Sequence, residues 1–181
     1  MKKTFIIFVL LMVYSLLFIP SVRADYVLPY PSYMPGNKIY RVMRIIDQLK
    51  KYWYWGNIAQ IKYHQGLADK YLVEAKTLFE YKQYLLAADA LLRSDSQVAS
   101  ILPFVFKAQQ QRIDTKLLIT GVVEEMSIHI SVLQVMKSQL PKEFVWTPEK
   151  AKATDLQIGA MLENSLALRE KTYGEATSSA Q

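Results

Sequence analysis

The residues best suited to acid–base chemistry are the two histidines, His64 and His129, which fall on separate predicted helices. A hydrolytic triad needs a base beside a nucleophile and a third group that orients the base. His64 lies between Lys62 and Asp69, and His129 lies between two isoleucines, so neither sequence neighbourhood supplies such partners. We therefore expect both histidines to be packed side chains, and we predict no catalytic residue.

The sequence also gives no recognisable metal or phosphate site. The chain has no cysteine, and its two histidines are not accompanied by a spaced set of carboxylates. Glu124 and Glu125 are adjacent, so on a helix they point about 100° apart and do not converge. No glycine-rich phosphate loop is present. We predict no metal site, no cofactor and no enzyme activity.

One segment combines positive charge with aromatic rings and is the best functional candidate. Between Lys38 and Lys62 there are six basic residues and one acid, Asp47. Tryptophan and tyrosine favour membrane interfaces, and neighbouring lysine and arginine add attraction to anionic lipid. The candidate surface-binding residues are Arg41, Arg44, Lys50, Lys51, Tyr54 and Trp55.

The aromatic run Tyr52-Trp53-Tyr54-Trp55 has other interpretations. Trp53 can belong to the core while its three neighbours pack under the chain that precedes the first helix. Contact with a protein partner is a further alternative. The sequence alone leaves these interpretations open.

A helix must position this segment, and Asn37 is its predicted N-cap because the side-chain oxygen can accept from a free backbone N–H of the first turn. Apolar residues recur at helical spacing on one face, and Gly56 is the predicted terminator. The apolar positions are Ile39, Val42, Met43, Ile46, Leu49 and Trp53.

An αα-hairpin follows, similar to a single tetratricopeptide unit. Its first helix is predicted from Ile58 to about Tyr81, with Asn57 as N-cap, and its second from Tyr84 to Leu92. The small residues Ala75, Ala87 and Ala88 would let the two helices approach closely.

Later elements are marked by turn and cap residues. The run Ser94-Asp95-Ser96 suggests a corner, and Pro103 should start a new helix or kink a continuing one. A long helix is predicted to close near Leu140, and Thr147-Pro148-Glu149 reads as the start of the last helix. Residues 175–181 are small and polar and are predicted to be a disordered tail. The fold class is therefore all-α, a bundle of about five helices in one domain over residues 38–174.

The N-terminus resembles a secretory signal peptide over residues 1–24. Two lysines precede an apolar run over residues 5–19, and small residues stand before a cleavage point between Ala24 and Asp25. About 20 residues are needed to span a bilayer, so the short run favours cleavage and export. The alternative is a membrane anchor made by uncleaved residues 5–19.

Composition is consistent with a packed domain outside the cytoplasm. The chain of 181 residues is 51% hydrophobic, and removal of residues 1–24 takes away three bases and lowers the net charge from +6 to +3. Such a small charge does not indicate nucleic-acid binding. We expect a monomer without disulfides.

Residues 25–37 form a proline- and tyrosine-rich arm that cannot be a regular helix. Together with the following helices, the arm resembles a family of exported bacterial helical domains, domain-of-unknown-function family 5667. The similarity covers about residues 26–93, with departures at Lys38 and Tyr71. It is carried by Tyr26-Val-Leu-Pro-Tyr-Pro31, Met34-Pro35-Gly36-Asn37, Ile39-Tyr40, Asp47, His64, Leu67-Ala68-Asp69-Lys70 and Leu72-Val73-Glu74-Ala75.

The resemblance implies an exported helical module and supplies no catalytic residues. We therefore expect a non-enzymatic domain of the bacterial envelope with a structural or protein-interaction role and an envelope protein as partner. The alternative is peripheral binding to an anionic membrane or cell-wall polymer through the basic, aromatic first helix.

Overall fold

Five helices and one short β-hairpin make up the described part of the chain. The computed structural model describes residues 26–29, 33–35, 37–150 and 152–179. The predicted signal peptide, its cleavage site at Ala24 and Asp25, and the alternative anchor lie outside these residues. In chain order the elements are α1 (Lys38–Lys50), α2 (Asn57–Glu80), α3 (Tyr84–Gln110), α4 (Lys116–Gln139), β1 (Phe144–Trp146), β2 (Thr154–Leu156) and α5 (Ile158–Ser179). The predicted all-α bundle is confirmed.

The α2–α3 hairpin is the central packing unit. Ala75 and Ala87 are completely buried and Ala88 nearly so, which lets the two helices lie close together as predicted. The chain reverses at residues 81–83, where Lys82 takes a left-handed conformation with φ of 59°. The two helices, of 24 and 27 residues, together make a hairpin longer than the roughly 34-residue tetratricopeptide unit.

The corner predicted at residues 94–96 is wrong, because α3 continues through it to Gln110. The Ser94 hydroxyl donates to the Ala68 carbonyl at 2.8 Å, and Asp95 forms an ion pair with Arg169 on α5. These polar side chains therefore serve tertiary contacts and do not mark a turn. Pro103 also lies inside α3, where buried neighbours hold the helix together despite the missing N–H.

The core has two apolar clusters at opposite ends of the bundle. Between them lies a layer of buried polar side chains, contributed by the middle of α2, α3, α4 and α5. One cluster contains Leu72, Leu78, Phe79, Leu91, Leu133, Ile158 and Leu162, and the other contains Ile61, Val98, Ile101, Ile119, Val122 and Met126.

The helix predicted to start at Thr147-Pro148 is wrong. The preceding aromatic and β-branched residues form β1, which pairs antiparallel with β2 in the register Phe144↔Leu156. Residues 147–153 connect the two strands, and Phe144 packs on the Tyr84 ring with centroids 4.5 Å apart. The last helix therefore begins later, at Ile158.

The predicted tail is helical through Ser179. Ala176 is 1% exposed and packs in the second apolar cluster, so α5 gains tertiary contacts that its polar composition does not reveal. The end of the helical domain predicted at residue 174 is thus too early.

Helix α4 is long and apolar enough to cross a membrane when only length and composition are considered, with a mean hydropathy of 1.3. A bundle core helix satisfies the same criteria. Its residues Ile119, Met126 and Leu133 are fully buried and join both apolar clusters.

Candidate functional site

Helix α1 rests on the bundle through polar contacts. Asn37 is its N-cap as predicted, with its side-chain oxygen 3.0 Å from the Ile39 amide. The Tyr40 hydroxyl donates to Glu74 Oε1 at 2.6 Å, and the Tyr63 hydroxyl donates to the Asp47 carbonyl oxygen at 2.8 Å. Tyr40 and Asp47 are buried and lie on the same side of the helix, so this side faces α2 and α3.

Cations complete these contacts. Arg93 Nη1 donates to the Tyr40 hydroxyl at 2.8 Å, and the Asp47 carboxylate pairs with Lys50 at 3.2 Å and with Lys70. Burial, followed by the hydrogen bond to Glu74, raises the pKa of Tyr40 to about 12, which keeps its hydroxyl protonated.

The apolar side of α1 points away from the bundle. At about 100° per residue, its side chains lie on an arc centred roughly 140° from the direction of Tyr40 and Asp47. An amphipathic surface helix normally packs its apolar stripe on the core, and here that stripe is left open. The exposed residues are Ile39, Val42, Ile45, Ile46 and Leu49. Together with the exposed aromatic residues Tyr52, Trp53 and Trp55 that follow the helix, they form what we call the α1 surface.

The aromatic run continues this surface in a non-helical turn. Helix α1 ends at Lys50, before the predicted terminator Gly56, which instead precedes α2 with φ of 86°. Trp53 and Trp55 are 83% and 84% exposed, so the interpretation of Trp53 as a core residue is wrong. Tyr52 and Tyr54 are exposed as well, and the ring centroid of Tyr54 lies 5.4 Å from that of Tyr63.

Asn57 also differs from its predicted role. It is the first residue of α2 and not its cap, and its side chain donates to Gln111 Oε1 at 2.9 Å. The Asn57 amide is therefore used to tie the start of α2 to the end of α3.

The predicted basic residues divide between the two sides of α1. Arg41 and Lys51 are exposed, and Lys50 is half-exposed while it pairs with Asp47. Arg44 turns toward the bundle, with its guanidinium carbon 6.0 Å from the centre of the Tyr40 ring. A shallow apolar recess of about 660 Å³ is lined by Lys50, Trp53, Tyr54, Trp55 and Ala59.

A more polar cleft of about 570 Å³ lies between the end of α1 and the α2–α3 hairpin. His64 lines it, with Nδ1 2.8 Å from Gln97 Oε1 and a buried Nε2 to which none of the described residues is hydrogen-bonded. Burial lowers the pKa of His64, so the ring is neutral. The nearby Ser100 hydroxyl donates to the Ser96 carbonyl, not to the histidine, so the cleft shows no nucleophile–base pair among the described residues.

The polar layer between the apolar clusters is centred on Arg169 and His129, both with no exposed surface. Arg169 Nη1 contacts Asp95 Oδ1 at 2.6 Å, and its Nη2 donates to the Ser94 hydroxyl at 2.8 Å. Arg169 Nε donates to His129 Nδ1 at 3.3 Å, and His129 Nε2 lies 2.8 Å from Asp69 Oδ1. A chain of hydrogen bonds thus joins α3, α5, α4 and α2.

Two further residues meet Asp69. The Tyr26 hydroxyl donates to Asp69 Oδ2, and a Glu125 oxygen lies within 4.8 Å of an oxygen of the same carboxyl group. Gln65 Nε2 donates to Glu125 Oε2 at 2.6 Å, whereas Glu125 Oε1 is buried and has no hydrogen-bond partner in the part of the chain that the structure describes. Burial, reinforced by the charge of Asp69, raises the pKa of Glu125 to about 8.

Asp69, Glu125 and His129 offer donor atoms within 4.8 Å of one another, which is the spacing of a metal-ligand set. The tautomer of His129 is not the one that a metal ion requires. Arginine can only donate, so His129 Nδ1 must accept from Arg169, and Nε2 therefore carries the proton directed at Asp69. A metal would need the lone pair of Nε2. The arrangement suits a bound proton better than a metal ion.

Sequence reasoning did not find this polar layer. The sequence prediction considered only the adjacent pair Glu124 and Glu125, whereas in the structure the carboxyl group nearest to that of Glu125 belongs to Asp69 on α2. The available signal was the pair Glu125 and His129, which share a helix face at i, i+4 spacing within an apolar pattern.

Comparison with known protein families, with curated proteins and with solved structures found no match to this chain. The resemblance to domain family 5667 remains a prediction based on the motifs between residues 26 and 93.

Proposed function

We propose that the protein is a non-enzymatic helical domain of the bacterial envelope that attaches to an anionic membrane surface through the α1 surface. The observation that carries this proposal is the orientation of α1, whose apolar residues face outward while its buried side is polar. A stable bundle does not require such an orientation, whereas a helix lying in a membrane interface does.

The charges of α1 favour an anionic partner. Asp47, the single acid between Lys38 and Lys62, is buried and paired with two lysines. Arg41 and Lys51 remain exposed beside the apolar stripe, and each basic residue near an anionic leaflet contributes about 1 kcal/mol. The outward side of α1 therefore combines apolar and positively charged groups without a compensating acid.

The aromatic residues favour a lipid surface over a protein groove. Trp53 and Trp55 extend into solvent at the end of α1, and tryptophan rings settle at the level of lipid headgroups. A single convex helix can enter the interface without a matching cavity in a partner. If residues 5–19 remain in the membrane, residues 20–37 tether α1 within about 60 Å of the bilayer.

Cosedimentation with vesicles tests the proposal. The chain starting at Asp25, which retains every described residue, should bind vesicles of equal parts phosphatidylglycerol and phosphatidylcholine, and bind pure phosphatidylcholine weakly. Raising the salt from 0.1 to 1 M shortens the Debye length from about 10 to 3 Å and should weaken the binding. The double substitution Trp53→Ser and Trp55→Ser should lower the affinity about tenfold or more, because two interfacial anchors are lost.

Matched variants control for general effects. Tyr81→Ser removes an aromatic residue that is 73% exposed at the α2–α3 turn, and it should leave binding unchanged. Lys116→Gln, at the start of α4, should weaken binding less than Arg41→Gln does. Absence of binding at low salt would contradict the proposal. Strong binding whose affinity changes neither with salt nor with the tryptophan substitutions would show that the α1 surface is not the binding site.

A further inference from the structure

We propose that the segment carrying Tyr26 is a latch that closes over the buried polar layer and is held shut by one proton shared between Asp69 and Glu125. This inference does not depend on membrane attachment. It concerns a different face of the molecule and groups that the α1 surface does not use.

Tyr26 is the one described member of this layer that does not lie on a helix. It belongs to the irregular residues 26–29 and is half-buried, whereas Glu125, His129 and Arg169 are completely buried. Asp69, whose side chain is 12% exposed, is the acid that Tyr26 contacts. The phenol therefore covers the polar layer where it approaches solvent, and it can leave without disrupting a helix.

A proton on one carboxyl group lowers the excess negative charge of the polar layer, in which Arg169 faces Asp95, Asp69 and Glu125. Arg169 is neutralised by Asp95, and His129 is a neutral donor to Asp69. Asp69 thus accepts from His129 and Tyr26, and within the described part of the chain no further cation pairs with the second buried carboxyl group, Glu125. We assign the proton to Glu125 Oε1, which has no hydrogen-bond partner among the described residues and belongs to a carboxyl group within 4.8 Å of that of Asp69.

Several groups face Glu125. Gln65 and Asp69 belong to α2, His129 to its own helix, Arg169 to α5, and Tyr26 to the irregular segment. Asp95 on α3 is hydrogen-bonded to Arg169 and to the Ser165 hydroxyl.

These surroundings leave Glu125 as the group that titrates near neutral pH. Burial raises the pKa of Tyr26 far above its ordinary value, so Tyr26 remains a donor. Burial lowers the pKa of His129, which therefore stays neutral. Glu125 itself has a pKa of about 8.

Loss of the shared proton opens the latch. Two adjacent carboxylates in a buried layer repel each other and lack water. Water reaches them most easily on the side that Tyr26 covers, because the other sides are formed by packed helices. Departure of residues 26–29 solvates the pair without unfolding the bundle.

Labelling of a single introduced cysteine tests the latch directly, because the chain has no other thiol. Leu28→Cys is introduced into the wild type and into every variant at a partly buried position of the segment. Protection of this thiol against a maleimide, relative to the rate for the exposed position Leu117→Cys at the same pH, is measured between pH 6.5 and 9.5. In the wild-type protein we expect protection to fall about tenfold for each pH unit above 8, as a single ionisation requires. Glu125→Gln keeps a neutral donor in place, so its protection should not change with pH.

Two further variants make the outcome decisive. Glu124→Gln removes the same charge from the exposed neighbouring position and should behave like the wild type. Tyr26→Phe lacks the hydroxyl and should be poorly protected even at pH 6.5. The latch is refuted if protection in wild type is independent of pH, or if Glu125→Gln loses protection with the wild-type profile.

Discussion

Glu125→Gln is expected to make the protein more stable than wild type above pH 8 and no more stable near pH 5. In the folded protein the pKa of Glu125 is raised from 4.5 to about 8, chiefly by burial. The substitution replaces a carboxyl group that must lose its proton at high pH with an amide that stays neutral. Urea unfolding between pH 5 and 9 measures the difference.

The sign follows from proton binding. Because the folded pKa lies above the unfolded one, the folded state binds more protons between pH 4.5 and about 8, and the free energy of unfolding of the wild type falls as the pH rises through this window. Below pH 4.5 the ionisation of Glu125 costs the folded state no stability, and above about pH 8 the loss of unfolding free energy has reached its full value. A shift of this size corresponds to at most about 5 kcal/mol.

Glu124→Gln provides the matched control, since Glu124 is exposed on the next position of the same helix. It should change the free energy of unfolding by less than about 0.5 kcal/mol at every pH. Parallel stability profiles for the wild type and Glu125→Gln would show that Glu125 does not titrate in this window.

Arg169→Met should be the most destabilising single substitution in the polar layer. Arg169 is completely buried and contacts Asp95, the Ser94 hydroxyl and His129 Nδ1. Removal of the guanidinium leaves the Asp95 carboxylate without its cation, and loss of one member of a buried pair costs about 3–5 kcal/mol. Urea unfolding at pH 7 measures this loss.

An exposed ion pair gives the comparison. Lys137→Met breaks the contact to Glu163, where both side chains are largely exposed, and should change the free energy of unfolding by less than about 1 kcal/mol. Adding Asp95→Asn to Arg169→Met should recover part of the loss, because the orphaned charge is removed. Equal effects of Arg169→Met and Lys137→Met would contradict the role assigned to Arg169.

The sequence was most informative where local signals and packing agree. The spacing of small residues predicted the close α2–α3 hairpin, and Asn37 was correctly identified as the cap of α1. Both features depend on residues near one another in the chain or on one helix face.

It was least informative where tertiary contacts override local preference. Ser94-Asp95-Ser96 has the composition of a turn, yet Ser94 and Asp95 bind partners on α2 and α5 and keep α3 continuous. Thr147-Pro148 has the composition of a helix start but follows a strand, and strand pairing between β1 and β2 displaced the helix to Ile158.

The candidate sites illustrate the same limit. The amphipathic pattern of α1 was visible in the sequence, but periodicity does not say which face meets the bundle. Tyr40 and Asp47 determine that orientation through partners on α2 and α3. Apart from the i, i+4 pair Glu125 and His129, the polar layer had no signal in the sequence, because Asp69, Glu125 and Arg169 meet only after three helices have packed.

The wide separation of the polar-layer residues along the chain has a consequence for the order of folding. Arg169 lies on the last helix and is 74 residues from Asp95 and 40 from His129. A chain that emerges from its N-terminus cannot neutralise Asp95 until α5 has followed. Such long-range closure slows folding, so the native state should form only after nearly the whole polypeptide is available. The bundle can therefore pair the buried Asp95 carboxylate only after Arg169 has been synthesised.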